Sequence, residues 1–211
     1  MSRILTITDS LSEKAGGLSH ATLNLAYACA LNWPNADFLV LSQADKNEIS
    51  PPDYLPANLE IKSAPCFRNG LFPFSKSLSE QVNTWNPDLI HLRGLWRQPS
   101  LTCLQWKIDN PNKPLIVQTA GMLERWARSR NRLLKSAYYS LVEHQLLKIC
   151  DKVHATSPRE MQTLVEMGVE SSKCFLVEEG VFLPSQDFSL SPSESRIRKL
   201  LFLSRLHPVK G

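Results

Sequence analysis

Seven short apolar runs rich in β-branched residues, at 3–8, 37–42, 59–64, 88–94, 114–120, 152–157 and 174–180, punctuate the chain, and the stretches between them carry apolar residues at helical spacing. A strand that is apolar along its whole length is covered on both faces, and strands separated by helices join in parallel. The pattern therefore specifies an α/β fold, a Rossmann-like parallel sheet with helices on both faces.

Three helices can be read in more detail. After Gly16 and Gly17, the residues Leu18, Ala21, Leu25 and Ala28 share a face, while Ala26 and Ala30 leave room for close packing on a sheet. The spacing of Leu133, Leu134, Ala137, Tyr138, Leu141, Val142, Leu146 and Ile149 predicts one long helix over 131–150. In "SPREMQTLVEMG", Ser157 caps a helix with Pro158 in its first position and Glu160 three residues after the cap, and Gly168 ends it. The Ser- and Pro-rich stretch between Pro184 and Ser195 has no period. The expected organisation is a domain over 1–184, a linker over 185–198, and the first strand and phosphate loop of a second domain over 199–211.

Bulk properties exclude more than they specify. A net charge of +4 on 211 residues is too weak a field to imply nucleic acid. Cysteines 29, 66, 103, 150 and 174 make no CxxC pair and no zinc spacing, so reduced thiols in a cytoplasmic protein are expected. The opening "MSRILTITDS" is neither a secretory signal nor a membrane span.

The candidate site residues lie where strands end. Gly16 and Gly17 sit between the first strand and helix, where a phosphate or sugar can approach backbone N–H groups, although a tight turn without ligand needs similar residues. They do not form GxGxxG, which weakens a dinucleotide-dependent oxidoreductase. His91 and Arg93 alternate onto one strand face, at the end where open α/β sheets bind ligands. Of the two, Arg93 is the stronger candidate, because an unpaired buried arginine is costly, whereas a lone histidine is more often a hydrogen-bonded core residue. Gly121 closes the next strand. Beyond it Arg125, Trp126, Arg128, Arg130, Arg132 and Lys135 place five cations in eleven residues, suited to an anionic membrane surface, an anionic acceptor or plain solvent. Near the end, Arg205 and Lys210 share a loop that would hold a pyrophosphate.

Taken in order, "GGLSHATLNLAYAC", "DLIHLRGLW", "AGMLERWA", "SLVEHQLLKICDKVHATS", "EEGVFLP" and "LLFLSRLHPVKG" resemble glycosyltransferase family 4, whose GT-B fold sets two Rossmann-like domains about a cleft. The resemblance implies a retaining transfer from a nucleotide-sugar to a glycan or lipid-linked acceptor, commonly in polysaccharide biosynthesis. The N-terminal half would hold the acceptor, with Gly16 and Gly17 near the reacting centre. Arg205 and Lys210 would neutralise the departing diphosphate in place of a metal, so no cofactor is expected. Three places depart from the family pattern: 91–94 reads HLRG, 118–122 reads QTAGM without the usual arginine, and 177–181 reads VEEGV, adding a carboxylate expected to repel a diphosphate. The family's two donor-binding glutamates have no counterpart in these 211 residues. The expectation is an acceptor-binding half that does not catalyse alone. The alternative is a non-catalytic binding module or partner subunit.

Overall fold

The computed structural model describes residues 1–13, 16–43, 54–66, 74–129 and 131–181. The chain divides into two units, Met1–Val181 and Phe182–Gly211. The second unit, and with it the expected linker, the last strand, Arg205 and Lys210, lies outside the described residues, as does Arg130.

Among the described residues seven strands form one sheet: β1 (Ser2–Thr8), β2 (Ala36–Gln43), β3 (Leu59–Ala64), β4 (Leu89–Arg93), β5 (Leu115–Gln118), β6 (Lys152–Ala155) and β7 (Cys174–Leu176). All neighbours are parallel, in the order β3-β2-β1-β4-β5-β6-β7. Each strand overlaps one of the seven apolar runs, β1 and β2 reaching one residue beyond theirs. The order reverses between β1 and β4, where Ile7 pairs with Leu92 and Thr8 with Arg93. Chains leaving these two strands diverge to opposite sides, which opens a crevice beyond their carboxyl ends.

Among the described residues seven α-helices form: α1 (Gly17–Asn32), α2 (Lys76–Trp85), α3 (Gln98–Asp109), α4 (Arg125–Ser129), α5 (Arg132–Tyr138), α6 (His144–Ile149) and α7 (Pro158–Glu166). Side chains alternate across each strand, so two cores form. Leu5, Ile7, Leu39 and Leu41 pack with Leu78 and Val82 of α2 and Cys103, Leu104 and Trp106 of α3. Phe38, Val40 and Leu59 pack with Leu23, Ala26 and Ala30 of α1. Ala26 and Ala30 thus face the sheet as their small size predicts. The rest of the α1 stripe is corrected: Ser19, Thr22 and Leu23 are buried, whereas Leu18, Ala21, Leu25 and Ala28 are only partly so. The reason is that Ser19 is drawn inward, its hydroxyl donating to the carbonyls of Ser10 and Ser12 at 3.1 Å each and fixing the helix's rotation.

The long helix also needs correction. α5 and α6 are joined by a π-helical turn, Tyr139–Glu143, rather than running as one α-helix. The wider turn shifts the phase of everything before it. Val142, Leu146 and Leu147 reach the core, but Leu133 is 88% and Leu141 71% exposed. At α7 the cap is as read: Ser157 Oγ accepts from Glu160 N at 3.2 Å, and Gly168 follows with φ 86°. No described helix is long and apolar enough to cross a membrane.

Gly94, directly after β4, has φ +92°, and a Cβ there would lie 3.2 Å from both Leu18 Cδ2 and Met122 Cε. Those two atoms end flexible side chains and can give way, so backbone conformation dominates. Gly94→Ala is expected to lower unfolding free energy by about 1–2 kcal/mol in urea titration.

Candidate functional site

A cavity of about 550 Å3 occupies the crevice between the β1 and β4 ends. Thr8, Asp9 and Ser10 form its β1 wall, Arg93 to Arg97 its β4 wall, and Lys135 and Tyr138 of α5 close the far side. Asp9 is the only carboxylate on the described wall and faces Arg97, Nε to Oδ2 3.6 Å. Tyr138 donates its hydroxyl to the Arg97 carbonyl at 2.8 Å, holding α5 against this wall. Such a pocket, mixing apolar side chains with directed polar groups, is of a size that takes a sugar ring.

Arg93 is almost fully buried at the cavity floor. Its Nη2 donates to Glu179 Oε1, its Nη1 donates to the Ala21 carbonyl at 3.3 Å, and its Nε has no partner. Gln118 Nε2 also donates to Glu179 Oε1, at 2.5 Å. Burial pushes the guanidinium below its ordinary value, and the Glu179 carboxylate offsets part of that. His154 Nε2 lies 2.8 Å from the Val177 carbonyl. The segment after β7 is thus laced back across the carboxyl ends of β6, β5 and β4. Residues from all three places that depart from the family pattern, Arg93, Gln118 and Glu179, form this one network. Glu179 serves here as the counter-ion of Arg93. His91 is held neutral, its pKa pushed down to about 3 by burial and by the nearby Arg93 and His154.

Two further carboxylates shape the loops above the cavity. Glu160 is buried and accepts from Thr156 N at 2.7 Å, Thr156 Oγ1 at 2.8 Å, Gly121 N at 2.6 Å and Thr119 Oγ1. The Gly121 N–H is therefore engaged within the protein. Glu143, in the π turn, accepts from Trp96 N at 2.5 Å. Trp96 has φ 72°, a conformation that strains a bulky residue, and its Nε1 donates to the Met122 carbonyl at 3.1 Å. Burial raises Glu143 to about 7, against the Trp96 N–H and the Ser100 side chain, which favour the anion.

A second cavity, of about 460 Å3, lies on the other side of Trp96 and Lys135, which line both. Arg125, Arg128, Arg132 and Lys135 supply its cations. Trp126 lies outside this lining and is 44% exposed.

Of the residues singled out from sequence, the structure brings Arg93 to the cavity floor and Arg125, Arg128 and Arg132 to the second cavity. Gly16, the N-cap of α1 with φ 74°, Gly17 and Gly121 stand beside the first cavity, while their neighbours Leu18 and Met122 line it. Asp9, Glu143 and Glu179 were missed as site-forming residues, and Glu160 was read only as a cap partner. The available signal for Glu143 was its being the lone acid in 131–149, beside Val142 of the apolar stripe. Among the described residues no group of three His, Cys, Asp or Glu is arranged to hold a metal ion.

A doubly wound sheet with its crevice at the β1/β4 reversal defines the class as one Rossmann-like half of a GT-B fold. The family model for the glycosyl transferase 4-like domain matches residues 16–180, and the chain belongs to that family. No curated protein matches it. Among solved structures it is similar to Anabaena HepE in complex with UDP-glucose, with a TM-score of 0.58 at 14% identity over 86% of this chain and 44% of that one. It is also similar to the lipopolysaccharide outer core galactosyltransferase WaaB, with a TM-score of 0.54 at 12% identity over 87% and 47% of the two chains. UDP-N-acetylglucosamine 2-epimerase from Rickettsia bellii follows, with a TM-score of 0.50 at 12% identity over 85% and 45%. The chain spans less than half the length of these proteins.

Glu143 generates a pH dependence. Its folded pKa of about 7 exceeds the ordinary 4.5, so the folded state holds the proton more tightly. The associated stability is fully present below the unfolded value and is lost as pH rises toward and through 7, by about 3 kcal/mol in all. In Glu143→Gln, which keeps an acceptor for Trp96 N, urea unfolding compared at acid and mildly alkaline pH should lose most of that slope.

Proposed function

We propose that this chain is the acceptor-binding side of a retaining glycosyltransferase that moves a sugar from a nucleotide-sugar to a glycan or lipid-linked acceptor. The observation that carries the reading is the cavity at the strand reversal, where one carboxylate, Asp9, faces Arg97 on a wall that mixes polar and apolar side chains. The family assignment and the UDP-glucose complex of HepE support a nucleotide-sugar as the donor.

In this reading the acceptor ring lies against Trp96 and Leu18, and Asp9 accepts a hydrogen bond from the hydroxyl that attacks. Arg97, 3.6 Å away, orients Asp9. As the donor sugar acquires oxocarbenium character, charge builds on the leaving diphosphate, and Arg205 and Lys210 neutralise it without a metal. Each such donor lowers the barrier by about 3 kcal/mol. Arg93, sealed by Glu179, sets the shape of the floor and does not contact the diphosphate.

The protein is proposed to act in the cytoplasm at the inner face of a membrane. Exposed Trp126, Leu133 and Leu141 beside Arg125, Arg128 and Arg132 give α4, α5 and the π turn an apolar and cationic outer surface. Flotation with anionic vesicles should retain the chain, and Trp126→Ser with Leu133→Ser should abolish retention.

The reaction is tested in a protein that joins this chain to a donor-binding half, with labelled UDP-sugars and lipid or glycan acceptors. Asp9→Ala should raise the acceptor KM about ten-fold or more, the loss of one hydrogen bond to a charged group, with donor affinity unchanged. Conversion of the UDP-sugar to an epimer without any acceptor would refute the transferase reading.

A further inference from the structure

The second cavity gathers like charges. Four cations, Arg125, Arg128, Arg132 and Lys135, line it, and no carboxylate does among the described residues. Between Asp109 and Glu143 the sequence contains a single acid, Glu124. That carboxylate faces away: it meets Arg159 Nε at 3.4 Å and accepts from Thr163 Oγ1 at 3.2 Å, both on α7. A solvated helix face would disperse its cations into water. Here Arg128 Nε is shut off from solvent without an acceptor, and Lys135 is half-buried, its ammonium 5.2 Å above the Trp96 ring and donating to the Ala127 carbonyl at 2.5 Å. A buried, unfilled guanidinium donor is costly unless an anion arrives to accept from it.

The hydroxyls of Ser136 and Tyr139 complete the lining, while that of Ser129 donates to the Trp126 carbonyl at 2.7 Å. Guanidinium forks match the geometry of phosphate oxygens, and hydroxyls donate to those left over. The cavity volume, about 460 Å3, admits more than one phosphate. It adjoins the sugar-sized cavity, because Trp96 and Lys135 line both.

We propose that Arg125, Arg128, Arg132 and Lys135 form a binding site for a phosphate monoester or diphosphate carried by the acceptor, whose sugar reaches across Trp96 into the crevice. The ligand class rests on the cavity alone; its assignment to an acceptor rests on the transferase reading.

The test uses the whole chain and inorganic pyrophosphate, with no donor present. Calorimetry at low salt should show sub-millimolar binding. Arg128→Gln with Arg132→Gln should weaken it by about ten-fold or more while melting stays unchanged. Arg125→Gln with Arg132→Gln, both exposed, gives a second variant that cannot fail through folding and should weaken binding similarly. Arg205→Ala with Lys210→Ala should leave it intact.

Two arms separate the sources. Neutral vesicles doped with a polyprenyl diphosphate retain the protein, and pyrophosphate releases it, if the phosphate is lipid-borne. Glucose 1-phosphate displaces pyrophosphate, and the vesicles retain nothing, if it is soluble. Either result upholds the site. The proposal is overturned if wild-type chain does not bind pyrophosphate, if both glutamine pairs bind it as well as wild type, or if only the 205/210 pair abolishes binding. None of these failures touches donor-dependent transfer, which is assayed separately.

Discussion

A guanidinium sealed at the reversal of a parallel sheet must bring an anion with it, because the interior leaves a bare charge far less stable than water does. Arg93 meets that demand with Glu179, recruited from the segment beyond the sheet's last strand. The consequence is mechanical. To reach Arg93, the segment must cross the ends of β6 and β5, where His154 and Gln118 hold it in passing. One electrostatic requirement thereby fixes the floor of the crevice, the path of the chain over it, and the side on which a ligand enters.

The same logic repeats at smaller scale. Glu160 gathers donors from the loop after β5 and from the start of α7, so that loop keeps its shape without contributing much apolar contact. Glu143 pins Trp96 in a backbone conformation the residue would not choose, and so sets the partition between the two cavities. Buried carboxylates accept several donors at once, which lets a single side chain organise residues far apart in sequence. In this domain the loops are held by acids from below, and cations are left to face the crevice.

Strands were legible because burial on both faces leaves a continuous apolar run, a signal that needs no knowledge of neighbours. The α7 cap was legible for a similar reason: Ser157, Pro158 and Glu160 act within one turn. The long helix was misread because spacing assumes a constant period, and the π turn at Tyr139–Glu143 breaks it. Arg93 was recognised as important, but its partner was not, since Glu179 lies 86 positions away and sequence alone gives no distance. The extra carboxylate in 177–181 was instead read as repelling a diphosphate. The three departures from the family pattern looked independent along the chain, yet side chains from each share one hydrogen-bonded cluster in the fold.

The wide turn between α5 and α6 is equivalent to one residue added to an ordinary helix. Deleting a single residue there would let the helix regain its regular winding, and every side chain upstream would swing by about 100° around the axis. Leu133 and Leu141 would rotate toward the interior and the arginines away from Trp96. A lineage could therefore lose or gain the cationic chamber by one codon, with the seven strands beneath left untouched.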